Sequence, residues 1–168
     1  MQKFIIKIDS ATPISEENLS EECYLLNDKV GEEYCANFKE KCKDKIMLIY
    51  GDNAVETAKK CGADGVVLDL GIDDLKEKMK LIRKTLGKDK VVGLITRNRR
   101  HESMLVSEVE PDFVIFKIWK DGFENLKELT DWYADFFLIQ SAALIMEDGV
   151  DYQNLNTDLV IKELRSDK

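Results

Sequence analysis

The stretch TRNRRHE, residues 96–102, concentrates positive charge at one point of an acidic chain. Three of the five arginines, Arg97, Arg99 and Arg100, fall within four residues, directly after an apolar run with the composition of a β-strand. Guanidinium groups match the geometry of phosphate oxygens, and the N-terminus of a following helix would add to the attraction. The cluster therefore indicates a site for a phosphorylated ligand. The alternative is a solvated loop whose arginines form ion pairs with Glu102 and neighbouring acids.

Carboxylates follow two consecutive strand candidates. Asp52 comes just after the run IMLIY, and Asp69 lies near the end of the run GVVLDL. The carboxyl ends of parallel strands share one edge of a sheet, and Mg²⁺ prefers one or two carboxylates together with ligand phosphates. Asp73 is a further candidate ligand, although acids at the start of a helix are also favoured by the helix dipole. We therefore predict that Mg²⁺ binds Asp52, Asp69 and Asp73, and no organic cofactor is implied.

Polar groups also follow the later strand candidates. Lys117 lies near the end of the run FVIFKI, and Lys120 follows in the loop KIWKDG, where both could neutralise a phosphate or a departing pyrophosphate. Alternatively, the Lys117 stem lies over a helix and Trp119 packs against the loop. Ser141 follows the run FFLIQ, the last strand candidate, so it is predicted either to donate to a phosphate or to cap a helix.

Several classes of protein are excluded or disfavoured by composition. A net charge of −8 argues against a general nucleic-acid binder, and no apolar stretch approaches the length of a membrane span. The four cysteines lack zinc-site spacing, and His101 has no partner in a nucleophilic triad. Walker and Rossmann glycine loops are absent as well. We therefore predict a single cytoplasmic domain spanning residues 1–168 that binds neither nucleic acid nor a membrane.

Strand and helix patterns alternate along the chain. The strand candidates are short and mostly continuous apolar runs, as in strands covered on both faces. They are FIIKI, CYLL, IMLIY, GVVLDL, VVGLIT, FVIFKI and FFLIQ. Helical periods separate most of them, and Gly62 is placed to end one helix in the left-handed conformation. A last helix is predicted in DLVIKELRSDK. This order predicts a reduced (βα) TIM-type barrel of seven or eight parallel strands, with an open flavodoxin-like sheet as the alternative.

The segment LIYGDNAVETAKKCGADGVVLD resembles the central region of thiamine phosphate synthases and their TenI-type relatives. In that family a strand ends in Asn-Asp, a helix follows, and Ala-Asp-Gly leads into the next strand. The later runs VVGLIT, PDFVIFKI and ADFFLIQSAAL resemble the family's subsequent strands. The resemblance implies a TIM barrel with a phosphorylated ligand and Mg²⁺. It adds Lys29, from the motif LLNDK, and Asn53, from the reversed Asp-Asn pair, to the ligand-binding set.

The sequence also departs from the family pattern. Asn27 stands at the position of the family's arginine, and the glycine pair that follows the family's seventh strand has no counterpart. Half of the usual phosphate cradle would be lost with that pair. We therefore predict a diverged member that binds a phosphorylated small molecule without full family catalysis. The alternative is an active transferase that joins a thiazole phosphate to a pyrimidine pyrophosphate. Strand edges left unpaired by a lost βα unit would favour homo-oligomers.

Overall fold

Eight parallel β-strands close into a barrel in chain order, and β1 pairs with β8 to complete the ring. The computed structural model describes residues 2–13 and 19–164. The strands are β1 (Lys3–Ile8), β2 (Cys23–Asn27), β3 (Ile46–Tyr50), β4 (Gly65–Leu68), β5 (Val91–Ile95), β6 (Phe113–Ile118), β7 (Gln140–Ile145) and β8 (Leu159–Glu163). The predicted barrel is confirmed with eight strands. The open flavodoxin-like alternative is wrong because closure leaves no edge strand, and the predicted homo-oligomer loses the reason given for it.

Five α-helices lie in the described residues, one after each strand from β2 to β6. They are α1 (Glu32–Lys41), α2 (Ala54–Cys61), α3 (Leu75–Leu86), α4 (Arg100–Glu108) and α5 (Phe123–Phe136). Residues 146–158 join β7 to β8 with one 3-10 turn, Tyr152–Asn154, and without an α-helix. The short connection without a helix helps to explain how 168 residues form a closed barrel, a fold that usually needs about 250. None of the described helices is long and apolar enough to cross a membrane.

Two predicted elements at the C-terminal end of the chain are wrong. The run FFLIQ is not a strand, because α5 continues to Phe136 and β7 begins only at Gln140. The predicted last helix is instead strand β8 as far as Glu163, and residues 165–168 lie outside the described residues. The other predicted strands agree with the structure to within about two residues at each end. Gly62 ends α2 in the left-handed conformation, with φ 70°, as predicted.

Side chains of alternate strand residues fill the inside of the barrel, and the others pack under the helices. The inner layer is almost wholly apolar. Its buried members are Ile5, Leu25, Leu48, Val67, Phe113, Ile115, Ala142, Leu144 and Ile161. A Cβ on Gly93 would collide with the Phe113 ring, so glycine there gives this aromatic side chain room to enter the barrel. The same alternation continues along the strands beyond the apolar layer. It therefore determines which polar side chains face inwards near the carboxyl ends of the strands.

Aspartates bridge neighbouring strands at the amino ends of β4, β6 and β8, an end that we call the base of the barrel. Asp64 accepts the backbone N–H of Met47 at 2.8 Å, and Asp112 accepts that of Val92 at 2.7 Å. Asp158 accepts the N–H of Ser141 at 3.1 Å in the same way. Each aspartate stands one residue before its strand and ties it to the preceding one. The base is thus a structural end, and chemistry is expected at the opposite end, the mouth.

Candidate functional site

A cavity of about 430 Å³ opens at the mouth of the barrel, where the carboxyl ends of the strands meet. We call it the mouth cavity. Apolar side chains of the inner layer, such as Leu25, Val67 and Leu144, form its floor. Charged residues border it above this floor. The lining is Lys7, Leu25, Tyr50, Gly51, Asp52, Val67, Leu68, Asp69, Leu70, Ile95, Lys117, Leu144, Met146 and Ile161. An apolar cavity with a few convergent polar groups is the usual form of a small-molecule site.

Two lysines contribute positive charge to the mouth cavity. Lys7 occupies the same inward register as Ile5 on β1, and its side chain is largely buried, with 18% of it exposed. Its Nζ lies 3.2 Å from Asp9 Oδ2 and 5.5 Å from the centroid of the Tyr50 ring. Lys117 occupies the matching register on β6 and is half-buried. Its Nζ has no hydrogen bond or ion pair with any residue in ranges 2–13 and 19–164, so it is free for a ligand.

Two of the three predicted metal ligands lie at this cavity. Asp52 follows β3 and Asp69 follows β4, and both are exposed at the mouth. Asp73 is exposed in the turn that precedes α3 and does not line the cavity. No group of three or more His, Cys, Asp or Glu side chains in the described part of the chain is arranged to hold a metal by itself. The donor set therefore fits Mg²⁺ only where ligand oxygens complete the coordination.

Asp28 joins the loops that follow β2 and β3. Its carboxylate accepts the backbone N–H of Asn53 at 2.6 Å, and it occupies the space that a Cβ on Gly51 would need. Gly51 has φ 126°, so a side chain there would also strain the backbone. Lys29 and Asn53 line a separate shallow hollow of about 310 Å³ between α1 and α2. The structure thus places both of them beside the mouth cavity, outside its lining.

The arginine cluster does not line the mouth cavity. The Arg97 side chain is 73% exposed, with its Nε 3.8 Å from Glu102 Oε2, and Arg99 is the exposed residue before α4. Arg100 stacks over the Trp132 ring of α5 at 5.1 Å. Asn98 anchors the loop by donating from Nδ2 to the Lys117 carbonyl at 2.8 Å. The ion-paired loop, the alternative to a phosphate site, agrees with the Arg97–Glu102 contact.

Lys120 and Ser141 lie away from the cavity. The backbone N–H of Lys120 donates to Glu147 Oε2 at 3.1 Å, and its side chain packs on Gly149 in the connection between β7 and β8. Ser141 is the second residue of β7 and is 1% exposed. The prediction that Ser141 follows a strand at the mouth is wrong, because β7 begins later than expected and places this serine at the base.

Sequence reasoning missed two residues of the mouth cavity that carry polar groups, Lys7 and Tyr50. Both could have been found from the alternation within their strands. In FIIKI the lysine shares the inward register of Ile5, and in IMLIY the tyrosine shares that of Leu48. A lysine on the inner face near the carboxyl end of a barrel strand must face either the cavity or a counter-ion. The side chain of Lys7 does both.

The fold is that of the (βα)₈-barrel class, in a reduced form, and a cavity bordered by charged residues opens at the carboxyl ends of the strands. No family model matches the chain, and no curated protein matches it. Solved structures with a similar fold include orotidine 5'-monophosphate decarboxylase from Sulfolobus solfataricus, with a TM-score of 0.70 and 13% identity over 97% of this chain and 88% of that one. Thiamine phosphate pyrophosphorylase from Pyrococcus furiosus gives a TM-score of 0.66 and 11% identity over 96% and 85%. The α subunit of tryptophan synthase from Legionella pneumophila gives 0.67 and 11% over 97% and 80%.

These similarities establish the fold that the resemblance implied. At 10–13% identity they do not distinguish thiamine phosphate synthases from the other barrel enzymes that match equally well.

Proposed function

We propose that this protein binds a phosphorylated small molecule in the mouth cavity, with Mg²⁺ between the ligand and the carboxylates, and that it lacks full thiamine phosphate synthase catalysis. The observation that carries the proposal is the convergence of Lys7, Lys117, Asp52 and Asp69 on one cavity with an apolar floor. Two of the solved structures with this fold are named for phosphorylated compounds, orotidine 5'-monophosphate and thiamine phosphate. An apolar floor beneath charged groups suits a ligand with a ring at one end and a phosphate at the other.

The charges at the mouth explain why a cation is part of the proposal. Lys7 and Lys117 supply two positive charges, and Asp52 and Asp69 supply two negative ones. Asp9 already pairs with Lys7, so the site by itself offers a phosphate little net attraction. A Mg²⁺ ion held by Asp52 and Asp69 would reverse this balance, because it would add two positive charges next to the free ammonium of Lys117. Arg97, exposed beyond Ile95 on β5, would contact a ligand long enough to extend out of the cavity.

The proposed lack of full thiamine phosphate synthase catalysis is supported by what the mouth lacks. Ser141 lies at the base, and the connection after β7 contains no α-helix and no glycine pair. The usual phosphate cradle of barrels uses the loops after the last two strands. The active transferase stays the alternative because Asp52, Asp69 and Lys117 do lie together at the mouth.

Thermal unfolding with a panel of ligands tests the proposal. The panel is inorganic pyrophosphate, thiamine phosphate, orotidine 5'-monophosphate and the thiazole phosphate, each with Mg²⁺ or with EDTA. We expect at least one of the organic phosphates to raise the Tm with Mg²⁺ and to raise it less with EDTA. Lys117→Met should abolish the shift. Lys3→Met, on β1 at the base, is the matched control and should leave it unchanged, since Lys3 is exposed and far from the cavity.

Two outcomes would count against the proposal. A panel that leaves the Tm unchanged at millimolar concentration would contradict ligand binding at the mouth, and an equal loss in Lys3→Met and Lys117→Met would contradict its location. Formation of thiamine phosphate from the thiazole phosphate and the pyrimidine pyrophosphate, detected by mass spectrometry, would establish the alternative.

A further inference from the structure

A second and larger groove lies on the outside of the barrel. It has a volume of about 930 Å³ and runs along α3, opposite the end of α4 and the turn that follows it. We call it the α3 groove. Its lining is Lys76, Met79, Lys80, Arg83, Lys84, Gly87, Lys88, Glu108, Val109 and Glu110. The nine-residue α4 makes fewer close approaches to α3 than α2 does, which leaves this side of α3 open.

Positive charge is concentrated along this groove. Residues 75–90 contain seven lysines and arginines and only two acids, in a chain whose net charge is −8. Lysines 76, 80 and 84 are exposed and succeed one another at intervals of four residues along α3. Such a spacing places their side chains on one side of the helix, with about 6 Å of rise from each to the next. The result is a row of ammonium groups along one wall of the groove.

These lysines are not used by the fold. The described part of the chain offers no hydrogen bond or ion pair to the side chain of Lys76, Lys80, Lys84 or Lys88. Arg83 differs, because it donates to the Lys90 carbonyl at 2.8 Å and pairs with Asp112 at 3.2 Å, which fixes the end of the groove. A row of like charges at this spacing opposes helix formation slightly. Within the described residues no acid offsets the charge of these four lysines, so they are available to a partner of opposite charge.

The rest of the lining restricts the kind of partner. Met79 is 4% exposed and Val109 is half-buried, so the floor between the charged walls is apolar. No aromatic side chain lines the groove, so nothing there would stack on a nucleobase. The opposite wall carries two exposed acids, Glu108 and Glu110. A ligand that matches all three features has acids on one side, apolar groups in the middle and a basic residue on the other side.

We propose that the α3 groove binds an acidic amphipathic helix of a partner protein. Carboxylates at positions i, i+4 and i+8 of that helix recur every 6 Å and match lysines 76, 80 and 84. Its apolar stripe covers Met79 and Val109, and a lysine or arginine beyond the stripe meets Glu108 and Glu110. This is recognition of a helix in a groove, with charge complementarity fixing its register. The proposal is independent of the ligand at the mouth.

Fluorescence anisotropy with designed peptides tests it. The probe is a labelled 16-residue helical peptide with Glu at i, i+4 and i+8, a Leu stripe and one flanking Lys. A scrambled peptide of the same composition is its control. We expect micromolar binding that weakens as salt is raised, with at least tenfold weaker binding of the scrambled peptide. Lys80→Glu/Lys84→Glu should weaken binding at least tenfold. Lys41→Glu/Lys43→Glu changes the charge equally on an exposed segment away from the groove and should have little effect.

Three results would overturn the proposal. They are equal binding of the scrambled peptide, equal loss in the two charge-reversed variants, and no binding of either peptide at 100 μM. A single-stranded oligonucleotide that binds more tightly than the helical peptide at the same salt would also overturn it. Circular dichroism of both variants confirms that the fold is retained, which is expected because all four lysines are exposed.

Discussion

Removal of the Asp112 carboxylate tests whether the aspartates at the base hold the barrel together. Its Oδ2 accepts the N–H of Val92 at 2.7 Å and lies 3.2 Å from Arg83 Nη2. Val92 is fully buried, so Asp112→Ala leaves its N–H without a partner, at a cost of about 1–3 kcal/mol. The ion pair is partly exposed and adds less than about 1 kcal/mol. We expect Asp112→Ala to lower the free energy of unfolding by about 2–3 kcal/mol in total.

Asp135 supplies a matched control for this experiment. In the sequence it precedes the apolar run FFLIQ by one residue, just as Asp112 precedes β6. The structure instead places it near the end of α5, exposed and with no hydrogen bond or ion pair to another described residue. Asp135→Ala should therefore change the stability by no more than about 0.5 kcal/mol. Asp112→Asn keeps an acceptor for Val92 and should recover at least half of the loss.

Urea unfolding followed by circular dichroism measures all three variants, with the difference in free energy taken from the midpoints at a common slope. The reasoning is refuted if Asp112→Ala and Asp135→Ala unfold at the same urea concentration. It is also refuted if Asp112→Asn is as unstable as Asp112→Ala, because the loss would then come from the charge and not from the bridge to Val92.

Two further predictions follow from the packing. The hydrogen bond with the Cys35 thiol, helped by the Ala63 N–H and opposed by burial, lowers the pKa of Cys61 to about 7 and raises that of Cys35. Because the thiolate is the reactive form, the rate of Cys61 alkylation by iodoacetamide should rise with pH and reach half its maximum near pH 7. In peptide mass spectra the fully buried Cys35 should stay unmodified. A midpoint near pH 9 for Cys61 would contradict this prediction. Gly93→Ala should lower the free energy of unfolding by about 1–3 kcal/mol, because the added methyl group collides with the Phe113 ring. In urea unfolding, the double variant Gly93→Ala/Phe113→Leu should recover part of this loss.

The sequence predicted most of the strands that are continuous apolar runs. It failed at β8, whose run LVIKE was predicted as part of a helix, and at β7, which begins with small residues. β7 reads QSAALI, and its Ala142 pairs in register with Ile115 inside the barrel, near the Phe113 ring. Alanine there reflects the limited space of the interior and gives no β-strand signal. The strand was predicted instead in the adjacent aromatic run FFLIQ. The side chain of Phe137 in fact stacks on Tyr133, with ring centroids 4.6 Å apart, and closes the end of α5.

The candidate site was predictable in its location and only partly in its members. Asp52, Asp69 and Lys117 were found because each follows or ends a parallel strand, which fixes the edge at which it lies. The arginine cluster lies outside the lining of the mouth cavity, because a loop sequence does not fix the direction of its side chains. Arg100 turns towards Trp132, a residue of another helix, and only the three-dimensional structure brings the two together.

Closure of the barrel by β8 is what makes the mouth cavity a single site. Lys7 belongs to the first strand and Lys117 to the sixth, and β7 and β8 complete the sheet between them. In an open sheet the same side chains would lie along an edge, and no apolar floor would form beneath them. Because Leu144 and Ile161 on β7 and β8 form part of that floor, both strands are needed for the cavity as well as for the fold. A variant that weakens the pairing of β8 should therefore lose ligand binding together with stability. Lys117→Met should lose binding alone, because the ammonium that it removes has no partner in the described residues.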